Sequence, residues 1–447
     1  MPATPCDGHQ KVASGELKAG HNDGDVAQQL TNEERMLEEI AQQKEQLDAM
    51  PGDSYSDFCA KAPHANKLGQ LEFKHQMLVE KKRLAHAMSK FVEEHGDLYS
   101  EPCLICLDDV HVHASMALVE LLFCCGGFIC KTCARNIELS ELGMVKCPLC
   151  REPIGSTNEA EAAAKLTALA ERGVVWAQAD VGTRMVHGIG GFKKQETSGL
   201  EWLNKAAAQQ YPRAIYYLSN LYRTGLTSVL RKSQEKANEM LLKSANLGCA
   251  PANSALAGSH FRGLNGFEND ADEAYFRASV AYAINDSDKK AATLLGHFHR
   301  DGGVSEPSHW YLVCYYLNIA ANEDDEGLAC YLYSKAIGEL SNQLDDGGFL
   351  IPGVNAIPAI FFWARKSHDL GCIDARDWLK MLESSGQSQC DNCGKDVQPG
   401  EKFKQCSKCK AQWYCSKECQ VEAWKAGHKK DCKRARILKF EDYLNAD

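Results

Sequence analysis

Four stretches decide the fold: AQADVGTRMVHG at 177–188, AIYYLSNLYRTG at 214–225, ANSALAGSHFRG at 252–263 and AATLLGHFHRDG at 291–302. Laid under one another, each begins with alanine, carries an aliphatic residue four places on (Val181, Leu218, Leu256, Leu295) and ends on glycine (Gly188, Gly225, Gly263, Gly302). The leading residues Ala177, Ala214, Ala252 and Ala291 stand 37, 38 and 39 residues apart. Positions four apart share one face of a helix, and a closing glycine suits the turn that ends it. Later in the units Ala206-Ala207, Ser244-Ala245 and Ala320-Ala321 place small side chains on a second helix, where they let helices approach closely. A period of this length, with two helices per unit, describes an array whose units complete a core only by stacking on their neighbours. The fold class is therefore mostly α, with a helical-repeat solenoid over residues 159–385.

This pattern resembles the Sel-1-like repeat, a relative of the tetratricopeptide repeat, through AIYYLSNLYRTG and the preceding EWLNKAAAQQYPRA at 201–214. A fifth, degenerate unit spans Ala329 to Ala375, where FFWARKSHDLGCIDA is similar to the second helix and DDGGFLIPGVNAIP at 345–358 is an insertion. The acidic residue usual between the two helices is poorly kept. The resemblance implies a concave face that binds peptides or protein partners; the plainer alternative is a spacer between the modules at either end.

Composition bounds the rest. A length of 447 residues exceeds one core, so several domains are expected. Hydrophobic content of 44% and charged content of 25% are those of ordinary soluble proteins. A net charge of -10 argues against a general nucleic-acid binder, which needs a clustered excess of Lys and Arg. There is no run of apolar residues long enough for a membrane span and no apolar stretch near Met1 for a signal peptide. The expected location is intracellular, cytoplasmic or nuclear. In that reducing setting, clustered members of the 21 cysteines read as metal ligands.

Residues 1–30 are polar and aperiodic, the composition of a disordered tail. Thr31 and Glu34 form a capping-box pattern ahead of Met36, Leu37, Ile40 and Leu47, so a helix is expected from Thr31 to about Pro51-Gly52. The segment 31–98 continues with a second helix from about Asn66 to Glu94. Its Leu71, Leu78, Ala85 and Val92, spaced by seven, offer a seam for a coiled-coil dimer. His75 and Lys82 lie near that seam and it is short, which favours a helix docked within its own chain.

Between residues 100 and 154 stand the pairs Cys103/Cys106, Cys124/Cys125, Cys130/Cys133 and Cys147/Cys150. A CxxC turn sets two thiolates on one side of an ion and zinc takes four, so eight cysteines mean two zinc ions. The order and gaps resemble a RING finger. That resemblance implies a cross-brace in which Cys103, Cys106, Cys130 and Cys133 hold one ion and Cys124, Cys125, Cys147 and Cys150 the other. The family's usual histidine is absent, with Gly127 in its place, and His111 or His113 is the alternative ligand. RING ubiquitin ligases grip a ubiquitin-loaded conjugating enzyme through an apolar residue in the first CxxC, a proline in the last and a cation after the final ligand. Here those are Ile105, Pro148 with Leu149, and Arg151. Arg151 is implied to bridge ubiquitin and the conjugating enzyme, which is catalysis by positioning with no covalent catalytic residue of the chain's own. The alternative is that Ile105 and Leu149 pack a small core and Arg151 is a surface charge.

Residues 390–432 carry Cys390-x2-Cys393, Cys406-x2-Cys409, Cys415-x3-Cys419 and His428-x3-Cys432. The spacing resembles the MYND finger at every ligand, including Trp413-Tyr414 before the fifth. Family topology implies one zinc on Cys390, Cys393, Cys415 and Cys419, and another on Cys406, Cys409, His428 and Cys432. By the same resemblance Gln420 and Trp424, four apart on one helix face, bind proline-rich peptides; the alternative places Trp424 in the module's own core. Four closed zinc sites leave no open position for metal catalysis. Cys6, Cys59, Cys249, Cys314, Cys330 and Cys372 are left over and read as small core residues. The basic stretch HKKDCKRARILK leads into the 433–447 tail and reads as a solvated face. Together these features describe a RING-type ubiquitin ligase whose solenoid and MYND finger recruit substrates, or else a non-catalytic zinc-dependent scaffold. Nothing outside the fingers resembles a SET methyltransferase.

Overall fold

The structure is a computed structural model that describes residues 23–51, 55–140, 144–153, 158–226, 229–301, 309–344, 350–351 and 354–446. Among these, 84–291 form one compact unit and 23–83 with 292–446 form another. Of the tail expected to be disordered over 1–30, residues 1–22, with Cys6, lie outside the described residues, and 23–30 belong to a helix.

Helix α1 spans Asp23–Asp48, starting eight residues before the expected capping box at Thr31. Helix α2 spans Tyr55–His95. Of the seam expected on α2, Leu71 is buried, Leu78 and Val92 are half-buried and Ala85 is exposed, while Phe73, Glu80, Ala87 and Phe91 are buried beside it. In the second unit Phe73 and Met77 of α2 pack into the main core, and in the first unit Met88 and Phe91 pack beside Ala114, Ala250 and Val280. Helix α2 thus docks within its own chain.

After the short helix α3 (Lys131–Glu138), the first unit continues through α4 (Glu159–Glu171), α5 (Val175–His187), α6 (Glu196–Ala208), α7 (Pro212–Thr224), α8 (Gln234–Asn246), α9 (Ala250–Arg262) and α10 (Ala271–Ile284). Helix α11 (Lys289–Asp301) begins in this unit. Helices α5, α7 and α9 are the first helices of successive repeats. Each stops at its glycine, and Gly188, Gly225 and Gly263 take φ of 69°, 79° and 60°, the left-handed region where a side chain would be strained. Gly302 lies outside the described residues. The leading alanines and the aliphatic positions are fully or almost fully buried.

Two devices inside the repeat were not read from the sequence. A Cβ on Gly182 of α5 would stand 2.8 Å from the Gly199 carbonyl oxygen, and one on Gly199 of α6 would stand 2.7 Å from that of Gly182. The two helices therefore touch backbone to backbone. In addition, the residue after the leading alanine satisfies the end of the preceding helix: Gln178 donates to Ala170 O at 3.2 Å and Asn253 to Ala245 O at 2.9 Å. Each carbonyl also accepts a main-chain amide from just past its helix, Gly173 N at 3.1 Å and Gly248 N at 2.9 Å, so the side chain adds a second bond there.

In the second unit α12 (Trp310–Asn322), α13 (Leu328–Leu344), α14 (Ile357–Asp369) and α15 (Ile373–Gly386) pack each against the next. Part of the 345–358 insertion lies outside the described residues; Leu350-Ile351 pairs with Val354-Asn355. The core gathers Tyr311, Cys314, Leu317, Tyr333, Ile337 and Trp363 with Phe73 of α2. Cys249, Cys314 and Cys330 are buried thiols and Cys372 is half-buried, while the surroundings of Cys59 lie outside what is described. Burial pushes the Cys330 thiol up to about 12. Glu80 is a buried carboxylate. It accepts from Arg83 Nε at 2.7 Å and from the Tyr316 hydroxyl, with His299 Nε2 at 3.3 Å. Burial opposes its ionisation, but Arg83 and His299 outweigh that and hold its carboxyl well below the ordinary 4.5.

The C-terminal module brings α16 (Lys417–Ala423), a single π turn over Trp424–His428 and α17 (Lys429–Arg434). The segment expected as a tail then turns back as α18 (Phe440–Asn445), whose Phe440, Tyr443 and Leu444 are buried in the core of the second unit. No helix among the described residues is long and apolar enough to cross a membrane.

Candidate metal centres

One local structure recurs at four CxxC turns. The first cysteine's amide donates to a carbonyl beyond the turn: Cys103 to Asp108, Cys147 to Glu152, Cys390 to Lys395 and Cys406 to Gln412, all at 2.8–2.9 Å. The residue after the second cysteine donates back to the first cysteine's carbonyl, from Leu107, Arg151, Gly394 and Lys410, at 2.9–3.0 Å. That closure forces the donating residue into the left-handed region, with φ of 64°, 66°, 68° and 51°. Both thiols of the turn then face one point. The pair Cys130/Cys133 is built differently: Cys130 caps α3, its sulfur accepting the Cys133 amide at 3.4 Å.

These turns assemble four tetrads: Cys103, Cys106, Cys130 and Cys133; Cys124, Cys125, Cys147 and Cys150; Cys390, Cys393, Cys415 and Cys419; Cys406, Cys409, His428 and Cys432. The ligand atoms of each lie within 4.8 Å of one another. Sulfurs 2.3 Å from a tetrahedral zinc stand about 3.8 Å apart. Ligand separations lie at or somewhat below that edge: Cys106 to Cys130 3.8 Å, Cys125 to Cys147 3.9 Å, Cys124 to Cys150 3.4 Å, Cys393 to Cys415 3.6 Å, Cys415 to Cys419 3.5 Å, and His428 Nε2 to Cys409 3.6 Å and to Cys406 3.3 Å. Thiolates with one imidazole are zinc's donor set, and all four positions of each site are taken by the chain. The cofactor is zinc, at four sites.

In each tetrad one thiol is poised as thiolate before any cation adds its field. Burial opposes ionisation of Cys103, Cys147 and Cys390, but backbone N–H donors outweigh it and bring the first two down to about 7 and the third to about 6. Cys406 is lowered by the same opposition of burial and backbone donors. The neighbouring thiols move the other way, mainly through burial: Cys106 rises to about 12.

The second tetrad is all cysteine. At Gly127 a Cβ would lie 2.7 Å from Leu149 Cδ1 and 3.5 Å from Leu104 Cδ1, so these two leucines fill the space a histidine there would need. His111 and His113 belong to no tetrad. His113 is stacked on Tyr99 at 4.2 Å and meets Tyr211 edge-on at 5.0 Å.

The residues expected to meet a conjugating enzyme have these positions. Ile105 is 43% exposed, Arg151 is exposed on its left-handed turn, and Pro148 and Leu149 are half-buried, Leu149 beneath Gly127. In the C-terminal module Gln420 and Trp424 are half-buried on successive turns. Trp424 packs on the core of Cys390, Cys406, Tyr414 and Cys432, meets His428 edge-on, and has Lys408 Nζ 5.0 Å from its ring centre. One indole thus serves the module's core and keeps a cation on its face.

Sequence reasoning did not find the side chains that dock the modules, because their partners are main-chain carbonyls that leave no mark in spacing. In the first unit Arg172 donates to Cys125 O at 3.4 Å and the Trp176 indole to Gly126 O at 3.1 Å, with Phe123 edge-on to Trp176 at 5.4 Å. In the second, Arg365 donates to Cys409 O at 2.8 Å and also to Lys410 O. Trp413 wedges between Phe361 and Gly386, where a Cβ would come within 2.3 Å of the indole.

The chain is similar in part to several known proteins. An F-box protein of Arabidopsis thaliana is 29% identical over 205 residues, 43% of this chain and 55% of its own length. A SET and MYND domain-containing protein of Dictyostelium discoideum is 49% identical over 47 residues, 10% of this chain and 8% of its own. The chain spans about half or less of the curated relatives it matches. Among solved structures, a Sel1 repeat protein from Oxalobacter formigenes covers 50% of this chain and 85% of its own, at 19% identity and a TM-score of 0.39. Residues 390–432, from the first ligand of the C-terminal module to its last, match the family model of the MYND finger.

Proposed function

We propose that this protein is a RING-type ubiquitin ligase whose helical repeats and MYND finger are its protein-interaction modules. The observation that carries the reading is Arg151, exposed and held in the left-handed region by its bond to the Cys147 carbonyl at 3.0 Å, directly after the last ligand of a closed tetrad. A conjugating enzyme brings the thioester. Ile105 and Pro148 give it apolar footing, and the Arg151 guanidinium hydrogen-bonds across enzyme and ubiquitin, restricting the thioester to reactive geometries. Zinc holds the two loops in place and takes no part in the reaction. The docking of Cys125 and Gly126 on the helices of the first unit fixes the finger through a surface that includes neither Ile105 nor Arg151.

The test is chain formation with ubiquitin, activating enzyme and a broad panel of conjugating enzymes. The expected result is activity with at least one, reduced at least tenfold by Ile105→Ala and by Arg151→Ala while four zinc ions per chain are retained. Absence of activity across the panel, or activity indifferent to both substitutions, favours the scaffold reading.

A further inference from the structure

In the second unit three side-chain amides bond the main chain of one segment. Asn318, buried on α12, donates to Leu438 O at 2.7 Å and accepts the Phe440 amide on Oδ1 at 3.0 Å. Asn322, one turn on, donates to the same Leu438 carbonyl at 3.1 Å, and Gln70 of α2 donates to Leu444 O at 3.0 Å. Between the two atoms Asn318 holds, Lys439 is extended, with φ −93° and ψ 130°. Side chains then fill an aromatic slot. Phe440 meets Phe73 edge-on at 5.6 Å and Tyr333 edge-on at 6.4 Å, and Tyr443 and Leu444 are each 4% exposed. Leu438, Lys439, Glu441 and Asp442 face solvent.

Amides that hold a backbone accept any sequence, and slots for a few anchors select one; peptide-recognition grooves divide the work in this way. A helix as short as α18 does not form alone, so its shape is imposed by the groove. We propose that the groove of α2, α12 and α13 is a peptide-recognition site occupied in cis by residues 437–445. Its ligand in trans is a partner segment with an extended residue followed by Phe-x-x-Tyr-Leu or Phe-x-x-Phe-Leu. The Tyr443 hydroxyl is buried without a hydrogen-bond partner, so phenylalanine fits that slot at least as well. The proposal deepens the interaction role given above to the helical repeats. It is independent of ubiquitin transfer, so failure of the ligase assay leaves it standing.

The experiment uses the full chain carrying Phe440→Asp and Leu444→Asp, which lifts the segment, and measures by fluorescence anisotropy the binding of a labelled peptide of residues 434–447. Because a tethered segment competes at an effective concentration of about 1 mM, the peptide is expected to bind this chain roughly 100-fold tighter than the native one. Adding Asn318→Ala should weaken binding at least tenfold, Phe440→Ala in the peptide should abolish it, and Tyr443→Phe in the peptide should leave it equal or tighter. A folded variant with four zinc ions that binds no better than native, or binding indifferent to Asn318→Ala, overturns the proposal. Should the double variant not fold, hydrogen exchange of the native chain decides. Faster exchange at 440–445 with several millimolar peptide supports the groove, and unchanged exchange overturns it.

Discussion

Arg151, Leu107 and Lys410 sit where glycine is the easier residue, as Gly394 shows at the equivalent place. A side chain in the left-handed region costs about 1 kcal/mol, so Arg151→Gly should leave zinc content unchanged and raise stability to urea by up to about 1 kcal/mol. The same substitution should reduce chain formation at least tenfold, as Arg151→Ala does. A loss of zinc instead would make Arg151 structural. Glu80 gives a second test. Its carboxyl is lower in the folded chain than the ordinary 4.5, so its ion-pair stabilisation is complete above that value and is lost as pH falls below it. The stability difference between native chain and Glu80→Gln should shrink as pH falls below about 4.5; a difference that grows there refutes the assignment. Ligand residues were legible in the sequence because clustered pairs, mostly CxxC, at spacings resembling the RING and MYND fingers mark metal sites. Glu80 was not: a glutamate on a helix reads as solvent-facing, and only folding sets Arg83, His299 and Tyr316 around it.

At the scale of elements, the repeat announced itself through alanine and aliphatic positions that are buried in all four units and a glycine that closes the helix in the three where it is described. On α2 spacing by seven marks the buried Leu71 but also the exposed Ala85, and the residues packed into the cores are Phe73 and Met77 in one unit and Met88 and Phe91 in the other. The pairing of α5 with α6 rests on Gly182 meeting Gly199, which one repeat alone carries. Gly182→Ala should push the two helices apart and cost about 2 kcal/mol, the scale of an overpacked core, read as a shift in the urea midpoint. An unchanged midpoint would mean that the crossing yields freely. In the second unit Arg365→Ala removes two bonds to the carbonyls of Cys409 and Lys410. With the guanidinium partly exposed, a loss of about 2 kcal/mol is expected, together with faster release of zinc to a chromogenic chelator. Release at the native rate would show that the knuckle stands without its dock.

For the whole molecule, metal analysis should return four zinc ions per chain, and Cys124→Ser should remove one while leaving the C-terminal tetrads filled. A variant that retains all four would break the all-cysteine assignment of the second tetrad. The carbonyls gripped by Arg172, Trp176 and Arg365 belong to ligand cysteines or to their immediate neighbours. The helices therefore hold onto the loops that carry the zinc ligands, whose folding is linked to metal binding. Free zinc then acts as a thermodynamic variable of the helical arrays themselves. While free zinc exceeds a site's Kd, each tenfold fall lowers stability by about 1.4 kcal/mol per ion. A chain with several such sites should lose its helices over a narrow range of chelator concentration, steeply enough to register zinc supply as abundance of the folded protein.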